Sequence, residues 1–384
     1  MIVNLVLLLF AVAPFFDPVG QNFGIRWVSL FLMFTLFVPL YKYRKQISRR
    51  IFFALVFLII IMPTHGLFMT AINGGFITTD FSDTSYLAFA VLLLASSPIM
   101  FVTDIYKKYF KLLLYVSVVA SVLSLVLYFF SYNTHASIIA NYLTEKSIAI
   151  IAHRGMMGIE VKMIYFLGAP LFFIPLAYFL NKAVSKRSYC IIAILPLFAL
   201  IATGTRSHIV LSVLYAAWMI PNIIFDSAFT RRVTYTKLAF AGVGIFIVFL
   251  FYSPEISEFL QSPKRVELMS YYADTFNNLS TILFGQGFNA TTWDYALAEW
   301  AGGGSKLELT YFEYVRVYGI ISFALFALFC TYLLMSLFKS KDFFEFHLLS
   351  LILINASINP YLISINGVVP IVLAIGRLNA NKKK

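Results

Sequence analysis

The stretch ATGTRSHIVLS, residues 202–212, stands between the apolar runs YCIIAILPLFALI and VLYAAWMIPNIIF and carries Thr203, Thr205, Arg206, Ser207 and His208. An arginine so near hydrocarbon costs a few kcal/mol unless it is paired, hydrated or in use. A second polar group, AHRGMMGIEVKM (152–163), sets His153 and Arg154 ahead of a glycine, with Glu160 and Lys162 behind them. The His-Arg pair invites an anion such as a diphosphate, whereas Glu160 and Lys162 fit residues that only mark a membrane interface.

The densest chemistry lies in residues 254–310. In SPKRVELMSYYADTF (262–276), Ser262 and Pro263 read as a helix start, and Val266, Met269, Ala273 and Phe276 repeat at helical spacing, so an amphipathic helix is expected near 263–276. Lys264 and Arg265 fall in its first turn, where the helix dipole disfavours cations. A bound anion there reconciles the two; a pair of solvated cations beside lipid headgroups is the plain alternative. KLELTYFEYVRVYGIISF (306–323) leads back into an apolar run, with Glu308, Tyr311 and Val315 on one helical face. A carboxylate at the mouth of a span is in use or paired. Arg316, deeper in the same run, has an ion-pair partner ready in Glu313 one turn back.

Other motifs favour plain readings. ILFGQGF (282–288) lacks the Lys-Ser/Thr ending of a phosphate loop, so its glycines are expected to permit a tight turn. NATTWDYALAEWAGGGSK (289–306) reads as a flap with a Gly302–Gly304 hinge, and its Trp293, Tyr295 and Trp300 fit interface anchors better than sugar-stacking rings. Asp80 and Asp83 are three apart, not two, and are read as a solvated loop with no metal.

These groups need elements to hold them. Of 384 residues 61% are hydrophobic and 12% charged, with a mean hydropathy of +0.86; a soluble domain is about 25% charged. Apolar segments run through 1–16, 24–41, 51–69, 85–105, 112–131, 161–180, 189–203, 208–225, 238–252, 311–338, 346–358 and 366–378. They are continuous where barrel strands would alternate, which predicts an all-α polytopic membrane protein of about twelve transmembrane helices. The last two segments are short and either cross or re-enter. The large loop 254–310 falls between spans 9 and 10, and 132–160 forms a second loop on the same side.

The net charge of +12 comes from short basic loops such as KYRKQISRR (42–50), KAVSKR (182–187) and the terminal KKK. Alternating spans put these on one side with both termini, which the positive-inside rule makes cytoplasmic; nucleic acid is not the partner they imply. Nine basic residues fall on the other side: Arg26, Lys146, Arg154, Lys162, Arg206, Lys264, Arg265, Lys306 and Arg316. The orienting rule works against these nine, so each needs another reason. Cys190 and Cys330 sit inside apolar runs and offer no metal pair, and MIVNLVLLLFAVAPFF reads as the first span rather than a removable signal.

TGTRSHIVLSVLYA resembles the Thr-Gly-Ser-Arg motif that opens a helix in the O-antigen polymerase and ligase superfamily. ILFGQGF followed by ELTYFEYVRVYGIISF resembles that superfamily's long periplasmic loop, and INASINPYLISINGVVPIVLAI (354–375) its closing Asn-Pro segment. The likeness covers about the second half of the chain. It implies a GT-C-type integral membrane glycosyltransferase of the bacterial inner membrane that needs no metal or cofactor. Such enzymes join oligosaccharides carried on undecaprenyl diphosphate at the periplasmic face, with a chain-length regulator as a possible partner. Where the ligase pattern has histidine, this chain has Glu308, which favours the polymerase.

On that resemblance Arg206, Arg265 and Arg154 are expected to hold the diphosphate leaving group, with Lys264 beside them. Glu308 is expected to take the proton of the acceptor hydroxyl, with His208 and then His153 as the other candidate bases. Tyr311 and Arg316 are expected to contribute to binding the lipid-linked substrate. Two rivals stay open: a ligase transferring glycan to lipid A–core, and a flippase for lipid-linked oligosaccharide, which would show two related halves and charges at mid-membrane.

Overall fold

Prolines and glycines decide where the apolar runs of this chain break. The computed structural model describes residues 2–17, 24–40, 48–73, 81–130, 134–146, 148–156, 159–224, 276–288, 310–357, 362 and 364–381, with only the backbone at 36–40, 81–86, 134–137, 140 and 152–161. In order these form α1 (Ile2–Phe16), α2 (Ile25–Leu40), α3 (Arg49–Ile72), α4 (Phe81–Ala95), α5 (Ser97–Phe101), α6 (Thr103–Phe130), α7 (Thr134–Glu145), β1 (Ala149–Met156), β2 (Ile159–Phe166), α8 (Phe173–Ala183), α9 (Tyr189–Ala202), α10 (Arg206–Ile224), α11 (Leu279–Phe284), α12 (Thr310–Lys339), α13 (Phe343–Ala356) and α14 (Ile365–Asn381).

The chain is mostly helical, and among the described residues α3, α6, α10 and α12 are long and apolar enough to cross a membrane. Side chains such as Phe53 (67% exposed), Phe129 (70%) and Leu328 (65%) stand on their outer faces, as suits helices solvated by hydrocarbon. Most of the expected apolar segments coincide with a helix; 238–252 lies outside the described residues. Two segments are organised differently. The run 85–105 is divided among α4, α5 and the start of α6, because Pro98 opens a new helix after Ser96 and Val102 is extended (φ −115°, ψ 111°). The run 161–180 is not one helix: β2 continues to Phe166, a 3-10 turn covers Ala169–Phe172, and α8 begins at Phe173. Lys162, Ile164 and Phe166 are buried on one face of β2, the alternation of a strand that a count of apolar residues hides. β1 and β2 form an antiparallel hairpin in which Ala149 faces Phe166 and His153 faces Lys162.

Contacts divide the chain into two compact units, residues 1–29 with 108–258 and residues 30–107 with 259–384. In the first, α8, α9 and α10 pack together, and α9 also touches β2 of the hairpin. Asn181 Nδ2 donates to Tyr215 Oη at 2.8 Å, and Arg187 donates to the Ile223 and Ile224 carbonyls at 3.2 and 3.0 Å. A cation on the last carbonyls of α10 also suits its dipole. Gly168 lets the chain pass against the Pro14 carbonyl, and Phe15 stacks on Phe172 at 6.0 Å.

In the second unit α3 contains a π-helical turn, Phe57–Ile61, with Met62 N–H bonded to the Phe57 carbonyl. The extra residue in the turn precedes Pro63, whose ring has no N–H and would crowd a carbonyl of a regular helix. The helix α14 is buried nearly throughout and packs on α5 and α13. Its end is held by polar bonds: Asn379 Nδ2 donates to the Phe101 carbonyl at 3.1 Å, and Arg377 Nε to Asp342 Oδ1 at 2.7 Å. Asp342 also accepts from Ser340 and Asn381, and Tyr106 Oη donates to Glu345 at 2.8 Å.

Candidate functional site

The residues singled out for chemistry fall into two groups, one in each unit. In the first unit the polar stretch begins where α9 ends. Thr203 Oγ1 donates to the Leu200 carbonyl at 2.7 Å and accepts from Thr205 N at 3.2 Å. The same oxygen lies 3.2 Å from His208 Nδ1. A hydroxyl that donates to Leu200 accepts from the ring, which favours the tautomer with its proton on Nδ1. His208 itself is fully buried, stacked on Tyr165 at 6.0 Å and edge-on to Phe173 at 5.9 Å. Gly204 has φ +63° and lies against Met163 of β2, where a Cβ would collide with the methionine side chain. Glycine is therefore required for this turn to lie on the hairpin. Arg206 opens α10 and is half-buried. It stands at the end of the helix where backbone N–H groups and the dipole favour an anion. The backbone of β1 carries His153 and Arg154, opposite Lys162 and Val161.

In the second unit the ILFGQGF stretch is built into a break in α12. Gly319 has φ 77° and ψ 164°, so the hydrogen bonds of the helix cannot run through it. The Arg316 and Val317 carbonyls lie just before the break and are taken up by Gln286 N at 2.6 Å and Gly287 N at 3.1 Å. Phe288 N bonds Thr70 Oγ1 at 2.7 Å, and Asn73 Nδ2 bonds the Gln286 carbonyl at 3.0 Å. His65 Nε2 donates to the Phe284 carbonyl at 2.7 Å. The N–H groups from 286 to 288 are thus engaged by the protein's own acceptors, as a tight turn requires and a phosphate cradle does not. Gly285, Gly287 and Gly319 all have positive φ, and backbone atoms occupy the place of each missing Cβ.

Arg316 is fully buried on the same segment. It binds Glu313 through both nitrogens of its fork, Nε to Oε2 at 2.8 Å and Nη2 to Oε1, and Nη2 lies 3.4 Å from the Phe288 carbonyl. This is the neighbouring-turn ion pair that the spacing allows. Tyr311 Oη donates to the Leu353 carbonyl at 2.5 Å.

Of the expected site residues, the structure brings Arg206 and His208 together at the start of α10, and Tyr311 and Arg316 along the first turns of α12. Glu308, Arg265 and Lys264 lie outside the described residues, as do residues 289–309 with their flap and all but Phe276 of the 263–276 helix. The side chains of His153 and Arg154 are outside the description as well. Sequence reasoning missed His65, Thr70 and Asn73, which anchor the glycine turn. Their trace was three polar residues near the end of the apolar run MPTHGLFMTAIN, at a spacing of three to five. Among the described residues no three His, Cys, Asp or Glu side chains stand close enough to share a metal ion. No family model, curated protein or solved structure matches the chain.

Proposed function

We propose that this membrane chain is a glycosyltransferase that joins undecaprenyl-diphosphate-linked oligosaccharide repeats at the periplasmic face of the bacterial inner membrane, an O-antigen polymerase. The observation that carries the reading is Arg206: a half-buried arginine in the first turn of an apolar, span-length helix, behind a turn that only glycine allows. An anionic ligand at that end would be favoured by the arginine and by the helix dipole together. In the reaction, an acceptor hydroxyl attacks C1 of the donor sugar and gives its proton to the Glu308 carboxylate. The C1–oxygen bond breaks, and the lipid diphosphate leaves with the electron pair, its charge met by arginine. Arg206, Lys264 and Arg265 are separate claims on the diphosphate, each open to its own variant.

The test is complementation of a polymerase-null strain with wild type, Arg206→Ala and Glu308→Gln, read as the lipopolysaccharide ladder. Wild type should restore the ladder, and each variant should leave single-repeat bands at normal expression. A wild-type chain that instead governs whether any glycan reaches lipid A–core is a ligase. One whose loss strands repeats on the cytoplasmic face is a flippase, and the mechanism above falls.

A further inference from the structure

The break in α12 leaves a cavity of about 310 Å³ beside it. Tyr311, Phe312 and Val315 line it from before Gly319, Ile320 and Phe323 from beyond, and Phe276 and Ile282 close the far side. Among the described residues no polar atom opens onto it; the Tyr311 hydroxyl is turned away to the Leu353 carbonyl. Its chemistry is therefore that of hydrocarbon alone, with nothing to bind a headgroup, a sugar or an ion.

We propose that this cavity holds one acyl chain of a bilayer phospholipid as a fixed lipid of the protein, independently of the glycosyltransferase reading. Three observations lead there. The mouth of the cavity is continuous with the lipid-facing strip of the same helix: Phe312 and Ile320 line it and are 42% and 38% exposed, and Leu325 and Leu328 carry the exposed apolar surface onward. A chain therefore enters sideways from the bilayer. The cavity has four aromatic rings in its described lining, Phe276, Tyr311, Phe312 and Phe323, with aliphatic side chains between them, which matches an apolar chain. Its volume is about ten times the ~30 Å³ share of a water molecule, and a methylene is of similar size, so the site takes the better part of one chain.

Leaving bilayer hydrocarbon for this cavity brings no hydrophobic gain, because the two surroundings are equally apolar. Retention rests on packing against the rigid rings of Phe276, Tyr311, Phe312 and Phe323, so a several-fold preference is expected rather than tight binding. The absence of polar lining also decides between lipids. A site with no means of selecting a scarce headgroup is filled by mass action with the commonest chain in the membrane.

The test uses the full chain in phosphatidylethanolamine–phosphatidylglycerol vesicles containing a phospholipid with a mid-chain diazirine, with crosslinked peptides mapped by mass spectrometry. Labelling around Phe312, Val315 and Ile320 should exceed that around Leu325 and Leu328 several-fold. Val315→Trp, which fills the cavity, should remove the excess, with Val315→Phe as the smaller replacement where tryptophan prevents assembly. Equal labelling of the two stretches in wild type would reduce the contact to ordinary lipid solvation and overturn the proposal. Enrichment with a diazirine polyprenyl phosphate and none with phospholipid would also overturn it, by assigning the cavity to a different lipid.

Discussion

Replacing Gly319 with alanine perturbs one carbon atom at the point where α12 breaks. Gly319 occupies φ 77° and ψ 164°, a region essentially closed to side-chain-bearing residues, and holding one there costs about 1–3 kcal/mol. The new Cβ would also overlap the Leu283 carbonyl and the Phe284 backbone, forcing the glycine turn away. That movement breaks the bonds from Gln286 N and Gly287 N to the Arg316 and Val317 carbonyls, at about 1 kcal/mol each. The expected loss is about 3–5 kcal/mol, roughly a hundredfold or more in the folding equilibrium. Gly24→Ala separates the two causes: Gly24 has φ +63° with open space around it, so only the backbone cost of about 1–2 kcal/mol applies. Purified protein in detergent is followed by thermal unfolding and by the rate of proteolysis. Gly285→Ala meets the Val317 carbonyl and Gly319 N across the same contact, so Gly285→Ala/Gly319→Ala should cost less than the two singles added. If Gly319→Ala loses no more than Gly24→Ala, the turn does not bracket the helix and the account given above is wrong.

Three further outcomes follow from the same geometry. Arg316→Met leaves Glu313 buried without its cation and should cost about 3–5 kcal/mol, while adding Glu313→Gln should recover much of the loss; a double variant as unstable as the single would refute the pair. Asp342→Ala removes the acceptor shared by Arg377, Ser340 and Asn381 and should destabilise by about 2–4 kcal/mol. Arg377→Ala should cost under about 1 kcal/mol, since that side chain is 40% exposed and screened by solvent; the order of the two melting temperatures checks this. Thr203→Val keeps the shape but removes the oxygen beside His208 Nδ1 and should cost about 1–3 kcal/mol. Nitrogen chemical shifts of the wild-type imidazole should report the proton on Nδ1, and a proton on Nε2 would contradict the assignment.

Much of the helical layout was readable because apolar runs of spanning length have few other uses, and α3, α6, α10 and α12 fall where those runs are. The Glu313–Arg316 pair was readable as well, since three residues on a helix set two long side chains side by side. The hairpin was not. MIYF is as apolar as any helical run, and its register depends on pairing with AIIA fourteen residues earlier, which periodicity within one segment cannot reveal. The glycine turn was half readable: FGQG announces a tight turn, but that its N–H groups would satisfy carbonyls some 30 residues on depends on the break at Gly319. Nothing in GIIS marks a break, because an isolated glycine is tolerated within a helix. His65, Thr70 and Asn73 were hidden for a related reason, since each finds its partner more than 200 residues away.

Arg316 and Arg206 meet the cost of their charge differently. Arg316 is enclosed and answered by a carboxylate of its own helix, so its charge is explained without a ligand. Arg206 lies in the first turn of α10, where the dipole is unfavourable to it, yet it is open enough for a bound group to reach. Lysine distinguishes the uses such an arginine can have. It keeps the charge and loses the planar fork that grips two phosphate oxygens at once. If Arg206 only marks the interface, Arg206→Lys should equal wild type in the ladder assay and Arg206→Ala should cost little. If it holds a diphosphate, Arg206→Lys should fall by about tenfold or more, the cost of one charge-assisted bond of about 1.5–3 kcal/mol, and Arg206→Ala should fall further, with expression and melting temperature unchanged in both. Full activity of the lysine variant would remove the fork from the mechanism, and with it the reason for preferring arginine at the start of α10.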